Sequence, residues 1–563
     1  MSARVLRPAL AFALACATPA GCTERTPEPT GWFVDVTARS GLSFRHENGA
    51  GGEKQMPEIF GGGVAVLDYD GDGDLDLFFA QGAPFPGCSP QDRDFRDRLF
   101  RNDGDRFTDV TDAVGASDAD FTFSAAAGDH DGDGDPDLLL CNFGGVRLLR
   151  NDVAERGRFT DVTAESGLRS RGWCQCAAYA DFDRDGDLDL YVGHYVVYDA
   201  KQSEWCGDRQ RGDAYRTYCG PDVFSGEPDE LYRNDGNGRF TDVSGEIGVS
   251  APLGKCLGLL IIDADDDGDT DLFVSNDSTP NLLWRNDSLP GGPIRLTEVS
   301  MDAGCSVGKN GVARASMGVD AADTNGDGDQ EIFVTTFTME PNTLFRSDGD
   351  GFYTDWSLES GLGEPSRLWV GFGSRFLDID RDGDEDLFVV NGHVTDTIEL
   401  TSPGIWYRQP SQIFLNRGDG RFTLAGPEAG AYLAERHLGR ALASWDSDDD
   451  GDLDLVIANN GEPAVMLENR TPARSGWIGF DLRGAPPNGA AIGARVTLRA
   501  GGRQQVREVR GTCSYAAWCD LRLLFGVGTA AEVEWAEVRW PRGGRTRLEH
   551  LSLGRYVEVR ESP

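Results

Sequence analysis

The stretch Asp68-Tyr69-Asp70-Gly71-Asp72-Gly73-Asp74-Leu75-Asp76 follows a pattern, D-x-[DN]-x-D-G-D-x-[DE], that returns six more times along the 563-residue chain. Its odd positions are Asp68, Asp70, Asp72, Asp74 and Asp76. The second copy carries Asp129, Asp131, Asp133, Asp135 and Asp137, and the third Asp181, Asp183, Asp185, Asp187 and Asp189. The fourth carries Asp263, Asp265, Asp267, Asp269 and Asp271, and the fifth Asp323, Asn325, Asp327, Asp329 and Glu331. Asp378, Asp380, Asp382, Asp384 and Asp386 form the sixth, and Asp446, Asp448, Asp450, Asp452 and Asp454 the seventh. A hard cation such as calcium takes six to eight oxygens at about 2.3–2.6 Å, and one turn of this spacing supplies them. The spacing predicts that side chains at positions one, three and five converge, with the ninth carboxylate closing the shell. Gly73, Gly134, Gly186, Gly268, Gly328, Gly383 and Gly451 hold the sixth position, where a sharp reversal turns the seventh carbonyl inward. Solvated acidic turns would not need a glycine at one fixed place. About seven calcium sites are therefore expected.

Short apolar runs flank each loop. Gly62-Gly-Val-Ala-Val-Leu67 precedes the first, and Leu77-Phe-Phe-Ala80 follows it. Runs this short, rich in aromatic and β-branched residues, read as buried strands, which puts each loop at the tip of a β-hairpin. A third strand follows in most units, as in Leu99-Phe-Arg-Asn102 and Leu231-Tyr-Arg-Asn234, and a fourth, as in Phe107-Thr-Asp-Val110 and Phe240-Thr-Asp-Val243. Four antiparallel strands repeated at intervals of about 50 to 85 residues are the signature of propeller blades. The predicted fold is all-β, a seven-bladed β-propeller over residues 32–472 followed by a small β-domain over 473–563. The last unit lacks its Phe-Thr-Asp-Val strand, and Trp32-Phe-Val-Asp-Val-Thr37 at the front supplies it. A ring closed in this way has no exposed sheet edge.

The formal charge is −41. Nucleic acid and anionic lipid are poor partners for such a chain, because phosphate binding needs the opposite sign. Arg4 and Arg7, the apolar run 9–17 and Thr18-Pro-Ala-Gly-Cys22 read as a secretory signal over residues 1–21, too short to span a bilayer. Small residues before Cys22 resemble a bacterial lipoprotein processing box, making Cys22 a lipidated first residue and the chain's membrane anchor. Ordinary cleavage after Ala15-Cys-Ala17 is the alternative. Residues 22–31 form a linker. Of 12 cysteines, ten lie beyond Cys22, an even number consistent with disulfides in an oxidising compartment. Cys206 with Cys219 and Cys513 with Cys519 are the expected local pairs, whereas Cys174 and Cys176 are expected in two separate bonds.

The loop-and-strand unit resembles the FG-GAP or VCBS repeat of integrin α-subunit propellers and many bacterial surface proteins. Asn488-Gly-Ala-Ala-Ile-Gly-Ala-Arg-Val496, Phe525-Gly-Val-Gly528 and Trp540-Pro-Arg-Gly543 resemble the ASPIC/UnbV domain. The combination is similar to the cartilage acidic protein family, whose animal members are secreted matrix proteins. Two positions depart from that pattern: Ala516-Ala-Trp-Cys519 replaces a polar pair after Tyr515, and Leu524 replaces a histidine before Phe525.

No His-x-x-x-His, Gly-x-Ser-x-Gly or phosphate-cradling glycine loop is present. His194 and His393 both follow second strands, an offset that would aim them at one rim of the central channel. The expected function is a cell-surface binding or adhesion module for a protein or glycan. The alternative is a secreted propeller enzyme, or a small-ligand or glycan binder, with its site at His194 and His393. The segment 198–226, with Trp205, Tyr215, Tyr218 and Phe224, is the natural recognition loop.

Overall fold

Each acidic loop joins the first two of four antiparallel strands, and there are seven such sets of strands among the described residues. The chain is described by a computed structural model over residues 31–85, 88, 93–104, 106–201, 204–472 and 476–562, so the signal segment and Cys22 lie outside the described residues. In the first sheet Val64–Leu67 pairs with Asp76–Phe79, which pairs with Arg98–Asn102 and then Phe107–Asp109. The first two strands are buried along their whole length, as their unbroken apolar runs require, because sheets pack against both of their faces. Several fourth strands are polar apart from one inward phenylalanine, such as Phe107, Phe159 or Phe240.

Consecutive first strands touch around the molecule, and Gly439–Trp445 of the seventh sheet returns to Val64–Leu67 of the first. The fold is all-β and its sheets form a propeller ring. Phe33–Asp35 completes the seventh sheet by pairing with Val465–Asn469, Phe33 opposite Asn469. The front segment thus supplies the strand that the last repeat lacks.

The C-terminal region is a sandwich of two sheets. Trp477–Arg483 lies between Leu523–Gly526 and Tyr556–Arg560, and Arg495–Ala500 lies between Arg503–Glu508 and Val533–Arg539. Ile478, Phe480, Val496, Leu498, Phe525, Val538 and Trp540 fill the space between them. One hairpin leaves this sandwich. Thr512–Cys513 and Ala517–Trp518 extend the first propeller sheet, with Val64 and Ala65 parallel to Ala517 and Trp518.

That hairpin stands on the axis of the ring, because it meets every sheet. Beyond the first sheet, it packs against Thr122–Gly128 of the second. Gln175 of the third donates to the Tyr515 hydroxyl at 3.0 Å, and Ile261 N–H of the fourth reaches Thr512 Oγ1 at 3.3 Å. Val319 of the fifth and Ser514 exchange backbone hydrogen bonds at 2.9 and 2.8 Å, and Ser374 N–H of the sixth donates to Ser514 Oγ at 3.1 Å. Ser444 of the seventh accepts from Asp520 N–H just beyond the hairpin. Two expected disulfides are formed, Cys206–Cys219 and Cys513–Cys519, the second clipping the base of this hairpin. Cys174 and Cys176 form no bond in the structure, and a register shift separates them within their strand. Among the described residues no helix is long and apolar enough to cross a membrane.

Candidate metal centres

The acidic loops divide their carboxylates by task. Glycine at position six adopts φ between 89° and 105° in all seven, a left-handed conformation that other residues rarely take. In every loop the fifth-position carboxylate accepts the N–H of residue seven at 2.9–3.1 Å. The ninth carboxylate braces the hairpin. One of its oxygens takes the N–H of position two in six loops, at 2.8–3.3 Å. The other takes a third-strand N–H, as when Asn102 donates to Asp76 at 2.8 Å and Asn286 to Asp271 at 2.7 Å.

Ligand oxygens of Asp68, Asp70 and Asp76 lie within 4.8 Å of one another, as do those of Asp181, Asp183 and Asp189 and those of Asp263, Asp265 and Asp271. Positions one, three and nine thus converge in these loops. In the second loop Asp129, Asp131 and Asp133 converge, the one-three-five set expected from spacing. Oxygens of Asp70, Asp131, Asp181, Asp263 and Asp265 are buried without a hydrogen-bond partner. Orphaned carboxylate oxygens facing one another are costly unless a cation joins them. Burial pushes Asp76 and Asp378 up to about 8, and nearby carboxylates add to the rise. Glu331 is raised to about 8 and Asp129 to about 7, again chiefly by burial. The donor set, all oxygen and strongly anionic, fits a hard divalent cation, which would neutralise this charge and displace the protons it otherwise holds.

Position seven behaves differently in three loops, where its side chain meets an arginine. Asp269 faces Arg184 at 3.6 Å, Asp452 faces Arg381 at 3.5 Å, and Asp384 pairs with Arg503. Position four, which carries no single residue type, is left-handed as well. Gly71, Gly132 and Gly326 occupy it in three loops, whereas Arg184, Asp266, Arg381 and Asp449 hold φ of 55° to 60° in the other four. Such a conformation costs about 1–2 kcal/mol in a residue with a Cβ. Each of the four uses its side chain as a bridge. Arg184 donates to Ser288 O at 2.7 Å and Arg381 to Asp450 O at 2.9 Å in neighbouring units. Asp266 meets Arg539, and Asp449 meets Arg522, both in the C-terminal sandwich.

A second unforeseen residue is the asparagine ending the third strand. Its side chain crosses to the preceding loop: Asn151 donates to Tyr69 O at 2.7 Å, Asn234 to His130 O at 2.9 Å, and Asn286 to Phe182 O at 2.9 Å. Asn416 and Asn469 repeat the contact with Thr324 O and Ile379 O. The recurring Asn in Leu-Phe-Arg-Asn was the available signal, since a buried strand end has little other use for an amide.

The sandwich sits on the loop end of the ring. Arg539 pairs with Asp263, Arg507 with Glu385 at 2.6 Å, and Arg495 donates to Gly328 O at 2.6 Å. Tyr556 donates to Asp446 at 2.9 Å. The FG-GAP-like repeat family matches residues 68–140, 129–192, 263–334 and 323–389, and the family described as ASPIC and UnbV matches 484–563. Residues 68–192 and 263–389 are FG-GAP-like repeats, and residues 484–563 are an ASPIC and UnbV domain. The chain is similar to cartilage acidic protein 1 of Xenopus tropicalis, 24% identical over 78% of this chain and 74% of that protein. It also matches cartilage acidic protein 1 of Mus musculus, 24% identical over 59% of this chain but only 48% of the relative, so the chain spans about half of that protein's length. Among solved structures, an Agrocybe aegerita lectin recognising non-reducing terminal N-acetylglucosamine is 16% identical over 66% of this chain and 84% of its own. Its TM-score of 0.35 marks a loose likeness.

The FG-GAP ring keeps His194 and His393 in separate surroundings. His194 Nε2 meets Cys174 Sγ at 3.2 Å, Ser170 Oγ at 3.3 Å and Arg171 O at 3.1 Å. His393 Nδ1 accepts Thr395 N–H at 2.9 Å and its ring lies 5.3 Å from that of Phe337. The two share no partner among the described residues. The described part of segment 198–226 meets the ring: Tyr218 donates to Glu58 at 2.9 Å and Tyr198 packs on Trp173. Trp205 and Tyr215 instead carry Arg209 and Arg211 over their faces.

Proposed function

We propose that this chain is an extracellular binding or adhesion module whose FG-GAP ring is held by calcium in its acidic loops. The carrying observation is the buried, unpartnered carboxylate oxygens of Asp70, Asp131, Asp181, Asp263 and Asp265, residues that each cluster with other carboxylates of their own loop. The similarity to cartilage acidic protein 1 and the two disulfides support an exported protein. Lipid attachment at Cys22 would then fix the module at the cell surface.

Recognition of a protein or glycan is assigned to the end of the ring away from the ASPIC and UnbV domain, where Trp205 and Tyr215 of the 198–226 segment lie partly exposed. The channel-rim alternative has less support, because His194 and His393 share no partner among the described residues and Tyr515 is buried on the axis.

Calcium titration of chelator-stripped protein, followed by calorimetry and thermal melting, tests the metal. Calcium a thousandfold above its Kd adds about 4 kcal/mol per site, so a large rise in melting temperature is expected. An unchanged temperature with and without chelator overturns the reading. Capture of surface proteins or glycans by the loaded ring, lost on Trp205→Ala with Tyr215→Ala, tests the recognition face.

A further inference from the structure

Cys176 and Cys256 lie in the first strands of the third and fourth sheets, and their sulfurs are 3.5 Å apart. Both side chains are buried, Cys256 completely. Gly193, on the second strand of the third sheet, leaves room for the pair: a Cβ there would stand 2.4 Å from the Cys256 sulfur and 3.2 Å from that of Cys176. Cys174, two residues earlier, instead faces Ser170 and His194. The same chain holds two formed disulfides, which places its maturation where thiols are oxidised.

We propose that Cys176 and Cys256 form a third disulfide, a covalent tie between neighbouring sheets of the ring. The oxidant is the disulfide of a thiol–disulfide oxidoreductase. The Cys176 thiolate attacks that disulfide, and one oxidoreductase cysteine leaves as a thiolate. The Cys256 thiolate then attacks the Cys176 sulfur and expels the second cysteine. Two thiols have given up two protons and two electrons, and the oxidoreductase departs as a dithiol. The sulfurs must close from 3.5 Å to about 2.05 Å. Burial sets the timing, because the oxidoreductase reaches these thiols only before the two sheets close. Once made, the bond is shielded from soluble thiols.

Mapping the cysteines of the full chain, exported through an oxidising compartment, tests this. The protein is unfolded in alkylating reagent before any reduction, then digested and analysed by mass spectrometry. The expected result is a peptide joining Cys176 to Cys256 that vanishes on reduction, with Cys141, Cys174 and Cys305 alkylated. Alkylation of both Cys176 and Cys256 while Cys206–Cys219 and Cys513–Cys519 stay bridged overturns the proposal. So does a peptide joining Cys176 to Cys141. In Cys256→Ser, Cys176 becomes alkylated if the pairing is right and stays bridged if another cysteine is its partner.

Discussion

Tyr515 of the ASPIC and UnbV domain donates its hydroxyl hydrogen to the carbonyl of Phe60, 455 residues earlier in the chain, at 2.7 Å. Its ring stands edge-on to Phe372, 4.9 Å away, and Gln175 donates to the same hydroxyl. One side chain thus joins three parts of the ring from a separate domain. Tyr515→Phe should leave the Phe60 carbonyl and the Gln175 amide unpaired, at a cost of about 1–3 kcal/mol. Tyr515→Ala removes the ring as well and should cost about 3–5 kcal/mol. Thermal melting in saturating calcium reads both, and equal stability of all three proteins would mean that the hairpin is not seated on the axis.

The two roles of the loop carboxylates separate experimentally. Asp271 braces Ala264 and Asn286 through backbone hydrogen bonds, whereas Asp74 is exposed and lies outside the converging set. Asp271→Ala should remove one calcium from the stoichiometry and destabilise the chelated protein by about 1–3 kcal/mol, since buried N–H groups lose their acceptor. Asp74→Ala should do neither. Calorimetric stoichiometry and melts in excess chelator distinguish them.

Gly73 isolates the backbone contribution. Its φ is 96°, and an added Cβ would meet nothing within 4 Å. Gly73→Ala should therefore weaken calcium binding at the first loop through backbone strain of about 1–2 kcal/mol, roughly tenfold in Kd. Normal affinity at that loop would show that it tolerates another path.

Two buried histidines set an acid limit. Burial, with Arg440 nearby, lowers His46 to about 3 and His393 to about 4. Both lie below the unfolded value near 6.5, so the unfolded chain binds protons that the folded one refuses. Stability from this source is complete above about pH 6.5 and is lost as pH falls toward 4. At pH 5 each histidine should account for about 2 kcal/mol of that loss. His393→Gln in saturating calcium should flatten the decline of melting temperature between pH 7 and 5, and a parallel curve would assign the decline to other groups.

Where the sequence was most regular, it spoke most plainly. Seven loops with glycine at one position announced the hairpins, and the displaced Trp32–Thr37 segment announced the strand that completes the seventh sheet. Local spacing also paired Cys206 with Cys219. What stayed hidden depends on contacts between distant segments. Residues 512–518 look like an ordinary hairpin, and nothing local says that they leave their own sandwich for the ring axis. Arg184 and Asp449 read as surface charge until their left-handed backbone and their partners are seen together. His194 and His393 share a sequence offset, yet one is held by Cys174 and Ser170 and the other by Thr395, partners that the offset does not reveal.

The front strand that completes the seventh sheet has a temporal meaning. Met466 N–H donates to Thr37 Oγ1 across 429 residues at 2.9 Å, so the front strand must wait for the last repeat of the ring. Contacts of such long range form slowly, because the loop entropy is spent before the contact rewards it. A chain released by its ribosome or translocation pore short of residue 469 carries an unclosed seventh sheet with a bare edge. The ring is thereby its own quality check: only a chain delivered past residue 469 can pair the front strand with the seventh sheet.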